Sequence, residues 1–180
     1  MHQQPIGFGD QSFHVAVYIA NIPNMPQYSE ISTLQAMIDG QIDAINKACG
    51  NGWRKVFNVY AKVLFALPSE YYQFARSAPT WQHYRDTQLL QKNSHTALLF
   101  SPPVLTNNNT LHIIAGRTYA KTLINQGLLT AQLDWLDDEF AIDKTNNVIV
   151  CPYFDYRQLS NIKIARLSEL VARIQFINLP

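Results

Sequence analysis

Residues 111–123 read LHIIAGRTYAKTL, and this stretch decides the fold class. Leu111 to Ala115 is a short apolar run, long enough for one strand buried on both faces. Gly116 closes it. From Arg117 the spacing changes: Tyr119, Leu123 and Ile124 recur at helical intervals, and Gly127 stands where a helix would end. A buried strand feeding straight into a helix is the building unit of an α/β domain.

The same punctuation recurs on either side. FHVAVYIA, residues 13–20, is a β-favouring run that ends in the loop Asn21-Ile22-Pro23-Asn24-Met25-Pro26. TALLFS, residues 96–101, is stopped by Pro102 and Pro103, with a turn expected at Asn107-Asn108-Asn109. Phe140 to Ile142 and Val148 to Cys151 form two further strands around the polar turn from Asp143 to Asn147. Between these runs the pattern is helical. Ile31, Leu34, Ile38, Ile42 and Ile45 predict an amphipathic helix over 29–48, with Ser29 as cap and Gly50 beyond its end. Trp53, Val56, Phe57, Tyr60, Val63, Leu64 and Leu67 predict a second, stopped by Pro68, with a strand over Tyr60 to Leu67 as the lesser alternative. A short aromatic helix precedes Pro79, and another begins at Thr80 and carries Trp81, Tyr84, Leu89 and Leu90. Residues 129–138 fit a strand and a short helix equally. A last helix over 160–174 places Ile164, Leu167, Leu170, Val171 and Ile174 on one face. The expectation is one α/β domain over 1–180: an open, mostly parallel sheet of four or five strands, helices on both faces, and a helical insertion after the first strand.

Composition excludes several function classes. With 14 basic and 13 acidic residues the net charge is +1, so no general field holds a polyanion, and nucleic-acid binding would need a local patch. Cys49 and Cys151 stand far apart and form no metal-ligand spacing, and no metal or cofactor is expected. The five histidines form no catalytic pattern. Asp137-Asp138-Glu139 reads as a solvated turn. The start, Met1 to Gln11, is polar, and Val15 to Ala20 is too short for an export signal or a membrane span, so the expected location is the cytoplasm. Charged residues make up only 15% of the chain and aromatics 12%; this leaves apolar surface to be covered, and a homodimer is one way to cover it.

Loops leaving the carboxyl ends of parallel strands converge on one edge of a sheet, where ligands bind. The residues these loops carry are the site candidates: Asn21 and Asn24 after the first strand, Gly116, Arg117 and Thr118 after the third, and Tyr153, Asp155, Tyr156 and Arg157 after the last. The amides behind Gly116 would hold an anionic group at a helix N-terminus. Tyr153 or Tyr156 would stack on a flat ring, and Asp155 would accept a hydrogen bond or act as a base; the equal alternative is that Tyr153 and Phe154 cover the core edge while Asp155 and Arg157 form a loop salt bridge.

Three stretches resemble the uracil-DNA glycosylase superfamily. VAVYIANIPN at 15–24 is similar to that family's first strand and proline-containing loop. LHIIAGRTYAKTL resembles its strand–glycine–helix unit, and VIVCPYFDYRQLSN at 148–161 lies where the family carries a histidine-proline-serine loop that contacts DNA. The resemblance implies four parallel strands flanked by helices, with the site at the strand ends. It carries over no catalytic residue, because Asn21-Ile22-Pro23 lacks the family's acidic arrangement and the last loop has Pro152-Tyr153 with no histidine.

Three functions therefore stand open: a binder of a small planar or anionic ligand such as a nucleotide or base, a protein-interaction module using an apolar helix face such as Trp53, Phe57 and Tyr60, and a divergent glycosylase-like protein without catalysis. Whether the chain is an enzyme is not decided by the sequence.

Overall fold

A computed structural model describes residues 3–106 and 109–177. Asn107 and Asn108, where a turn was expected, lie outside the described residues. In chain order the elements are β1 (Gly7–Gly9), β2 (Val15–Tyr18), β3 (Leu34–Gln35), α1 (Gln41–Cys49), α2 (Asn51–Ala66), α3 (Trp81–Thr87), β4 (Thr96–Leu99), β5 (Leu111–Ala115), α4 (Arg117–Asn125), β6 (Asp134–Trp135), β7 (Ala141–Asp143), β8 (Val148–Cys151) and α5 (Asn161–Ile177). Among the described residues no helix is long and apolar enough to cross a membrane.

The strands form one sheet in the order β3-β1-β4-β2-β5-β8-β7-β6. Its centre, β4-β2-β5-β8, is parallel throughout. These are the four runs that the sequence marks as buried strands, and every residue in them is buried. The expectation of a mostly parallel sheet of four or five strands is corrected at the margins: the sheet has eight strands and is mixed. β1 runs antiparallel to β4, β7 antiparallel to β8, and β6 antiparallel to β7. The extra strands are two or three residues long, too short to show a period of two. β1 is further disguised by its sequence, Gly-Phe-Gly. A Cβ on Gly9 would stand 2.4 Å from the Thr96 carbonyl oxygen and 2.6 Å from Ala97 Cα. Glycine is there because the backbone of β4 occupies that space.

Alternation along the strands divides the core in two. Val15, Val17, Ile113, Ile149 and Cys151 face a large core shared with α1, α2 and α5. Ala16, Tyr18, Ile114, Val148 and Val150 face a smaller one with Ala120 and Leu123 of α4. Helices thus cover both faces, as expected. In α5, Ile164, Leu167, Leu170, Val171 and Ile174 are all buried.

Two expectations fail on the first of these faces. The helix expected over 29–48 begins only at Gln41, with Gly40 in the left-handed conformation as its cap. Leu34 instead enters a strand beside β1, and Met37 bridges to Gln91. Ile38 is 71% exposed, whereas Ile42 and Ile45 are core. Spacings of three and four arose here from a strand, a bridge and a helix laid end to end. The face of Trp53, Phe57 and Tyr60, considered for a partner, is buried in the core. The Tyr60 hydroxyl donates 2.8 Å to the Ala97 carbonyl, pinning α2 to the sheet. Leu89 and Leu90 are buried, but beyond the end of α3.

Candidate functional site

β2 and β5 are parallel neighbours, yet the chain leaves them toward opposite faces. After β2 it passes to α1 and α2 on the large core; after β5 it enters α4 on the small one. Loops that part in this way open a crevice at the carboxyl edge, the topological switch point of the sheet. A cleft of about 560 Å³ lies there, lined by Asn21 from the β2 loop, Gly116, Arg117 and Thr118 from the β5–α4 junction, and Tyr153 and Gln158 from the β8 loop.

Each wall has a local cause. Gly116 takes φ 107° and ψ 130°, a backbone suited to glycine, and as a glycine it offers no side chain to cap the N-terminus of α4. The N–H groups of the first helical turn have no intrahelical partner, so their partial positive charge is directed to whatever fills the cleft. Arg117 adds a full charge. Its guanidinium lies 3.7 Å from Asp138 and 6.0 Å over the Trp135 ring. The Asp138 side chain is 95% exposed, so this pair is screened and Arg117 is free to turn to an anion. Across the cleft, Asn21 Nδ2 donates to the Tyr153 hydroxyl at 3.1 Å, fixing the half-buried ring. Burial raises the Tyr153 pKa, against the lowering effect of that hydrogen bond, so the phenol keeps its proton and can itself donate.

The other expected residues are placed elsewhere. Asp155 points away from the cleft toward α2, where it accepts from Lys55 Nζ at 3.1 Å and from the Arg157 backbone N–H at 2.9 Å and side-chain Nη2 at 3.1 Å. The hydrogen bonds from Arg157 hold its carboxyl well below the usual carboxylate range, and Lys55 adds to them. A carboxylate tied down in this way is a strut and no base. Lys55 Nζ also covers the Tyr156 ring, 5.1 Å from its centroid, so Tyr156 and Arg157 belong to the strut. Phe154 packs edge-on against Tyr60 in the core, at 5.8 Å. Asn24 borders a neighbouring hollow with Cys49 and Trp53, which meets the cleft at Ala20 and Asn21. The expected convergence of Asn21, Arg117 and Asp155 thus holds for the first two alone. Sequence reasoning missed Gln158, Tyr119 and Thr122 as lining residues; the helical register of α4, which places 118, 119 and 122 near one another, was the signal for two of them.

Asp137 caps the backbone of Glu139 and Phe140 and pairs with Arg166, while Glu139 pairs with Lys163 at 2.7 Å. Among the described residues no group of three or more histidines, cysteines or carboxylates could hold a metal ion. His112 is buried, its Nδ1 2.7 Å from the Tyr18 hydroxyl.

The chain belongs to DUF6942, a family of unknown function whose model matches residues 6–172. No curated protein and no solved structure matches it.

Proposed function

We propose that this DUF6942 chain binds a small ligand with an anionic group and a planar ring, of the nucleotide class, in the cleft between the β2 and β5 loops. The carrying observation is the coincidence of three features at one point: the switch-point crevice, the uncapped N-terminus of α4 behind Gly116, and Arg117 beside it. The anionic group lies on the first-turn amides and Arg117. The ring packs against Tyr153, and Asn21, Thr118 and Gln158 supply edge hydrogen bonds. The reading assigns binding and no reaction: Glu139 is paired with Lys163, Asp155 is held by cations on the α2 side, and Asp138 stands almost wholly in solvent.

A second reading, a glycosylase-like chain that has lost catalysis, draws support from the four central parallel strands with helices on both faces and a cleft at their carboxyl ends. It narrows the ligand to a nucleobase.

A thermal-shift screen of nucleobases, nucleosides and nucleotides tests the proposal. Nucleotides should raise the melting temperature of the wild type and not that of a folded Arg117→Ala variant. Stabilisation by free bases alone, insensitive to Arg117→Ala, would favour the second reading. Absence of any stabiliser would remove support from both.

A further inference from the structure

A larger cavity, of about 760 Å³, lies at the opposite edge of the sheet, beneath the amino ends of β2 and β4. It is independent of the cleft. Its walls are flat groups. Tyr72 and Phe74 stack at 6.1 Å with 15° between their planes, and Tyr84 meets Phe74 edge-on at 6.0 Å. At the opening the imidazoles of His14 and His95 lie parallel, 4.7 Å apart and 8° from coplanar directions. His95 Nδ1 donates to the Ser12 carbonyl at 2.9 Å and lies 3.7 Å from Asp10 Oδ2.

Three features mark the cavity as built. First, the segment that forms one wall holds Leu90, Asn93 and His95 at φ 62°, 66° and 57°, and left-handed backbone at residues other than glycine is costly and concentrates at functional positions. Asp10 holds that segment, accepting from the His95 N–H at 2.9 Å. Second, the buried Tyr84 hydroxyl forms no full hydrogen bond; its interaction with Thr96 only partly offsets the burial that raises its pKa. Third, among the described residues the lining contains no lysine or arginine, and Glu70 is its one carboxylate. A permanent positive charge is thus missing from these walls, in contrast to the cleft at Arg117.

We propose that this cavity is a second ligand site, specific for an uncharged planar heteroaromatic molecule of purine or indole size. The ligand extends the His14–His95 stack with its face and reaches Asn93 and Ser94 with its polar edge. Stacked aromatic pairs are each worth about 0.5–1.5 kcal/mol beyond burial, so removing one stacking partner should weaken binding by roughly three- to tenfold.

The test is a titration of the folded chain with adenine and, separately, indole, up to about 10 mM, followed by NMR of the histidine side chains and the backbone amides. The expected result is saturable ring-current shifts at His14, His95 and residues 93–95. They should be weakened in His14→Ala, whose residue is exposed and outside the core, and unchanged in Arg117→Ala. Absence of saturable shifts at these residues for both probes, or affinity unaltered by His14→Ala, would overturn the proposal. So would shifts confined to Gly116–Thr118, which would place the probes in the cleft.

Discussion

Replacing Tyr60 by phenylalanine should produce a stability loss that disappears at alkaline pH. The ring of Tyr60 is fully buried between α2 and the sheet, packed on Phe154, and its hydroxyl donates 2.8 Å to the Ala97 carbonyl. Tyr60→Phe keeps the ring and leaves no cavity of consequence, so the loss at neutral pH is that of one buried neutral hydrogen bond, about 0.5–1.5 kcal/mol. Burial raises the Tyr60 pKa well above its ordinary value. The unfolded chain therefore releases this proton first. The stability that Tyr60 contributes is complete below pH ~10 and falls by about 1.4 kcal/mol per unit above it, until the folded-state value is reached. Phenylalanine has no such loss, so the two unfolding curves should coincide near pH ~11 and then exchange order. Urea unfolding followed by far-ultraviolet circular dichroism across this range measures the difference. A gap that stays constant with pH, or no gap at pH 7, would refute the placement of this hydroxyl.

Asp155→Asn should lower stability at neutral pH, because it removes the charge shared by Arg157 and Lys55. Since that carboxyl titrates below its ordinary range, the contribution is present above pH ~4 and is lost as pH falls below it; a difference persisting unchanged into strong acid would contradict the strut. Gly9→Ala forces a Cβ into the β4 backbone and should cost at least about 3 kcal/mol or abolish folding; a variant as stable as wild type would mean that β1 is wrongly paired. Leu167→Ala, at a site with no exposure, should cost about 2–5 kcal/mol, and Ile38→Ala, at a site 71% exposed, under about 0.5 kcal/mol. Equal losses in denaturant midpoints would return the discarded helix over 29–40.

The central strands were legible in sequence because each is buried on both faces and so reads as a continuous apolar run. The edge strands were not. Gly7-Phe8-Gly9 has poor β propensity, and it is a strand only because β4 lies alongside; Leu34-Gln35 borrowed a helical spacing from the residues around it. For the site, the strand-to-loop order sufficed to bring Asn21, Gly116, Arg117, Thr118 and Tyr153 to one cleft, since parallel strands discharge their loops at the same edge. The local pairing of Asp155 with Arg157 was legible; its further tie to Lys55 was not, because Lys55 lies 100 residues earlier in the chain and on another layer. The Asn21–Tyr153 bond, across 132 residues, is of the same kind.

The most direct test of the cleft is a residue-resolved comparison of adenosine with adenosine monophosphate by amide NMR. The anionic group is assigned to the first turn of α4, so the nucleotide should bind at least about tenfold more tightly than the nucleoside. Its largest shifts should fall on the amides of Gly116, Arg117 and Thr118, and Arg117→Ala should erase the difference. Equal affinity for the two, or nucleotide shifts that bypass these three amides, would contradict the assignment of the cleft as an anion-dependent ligand site.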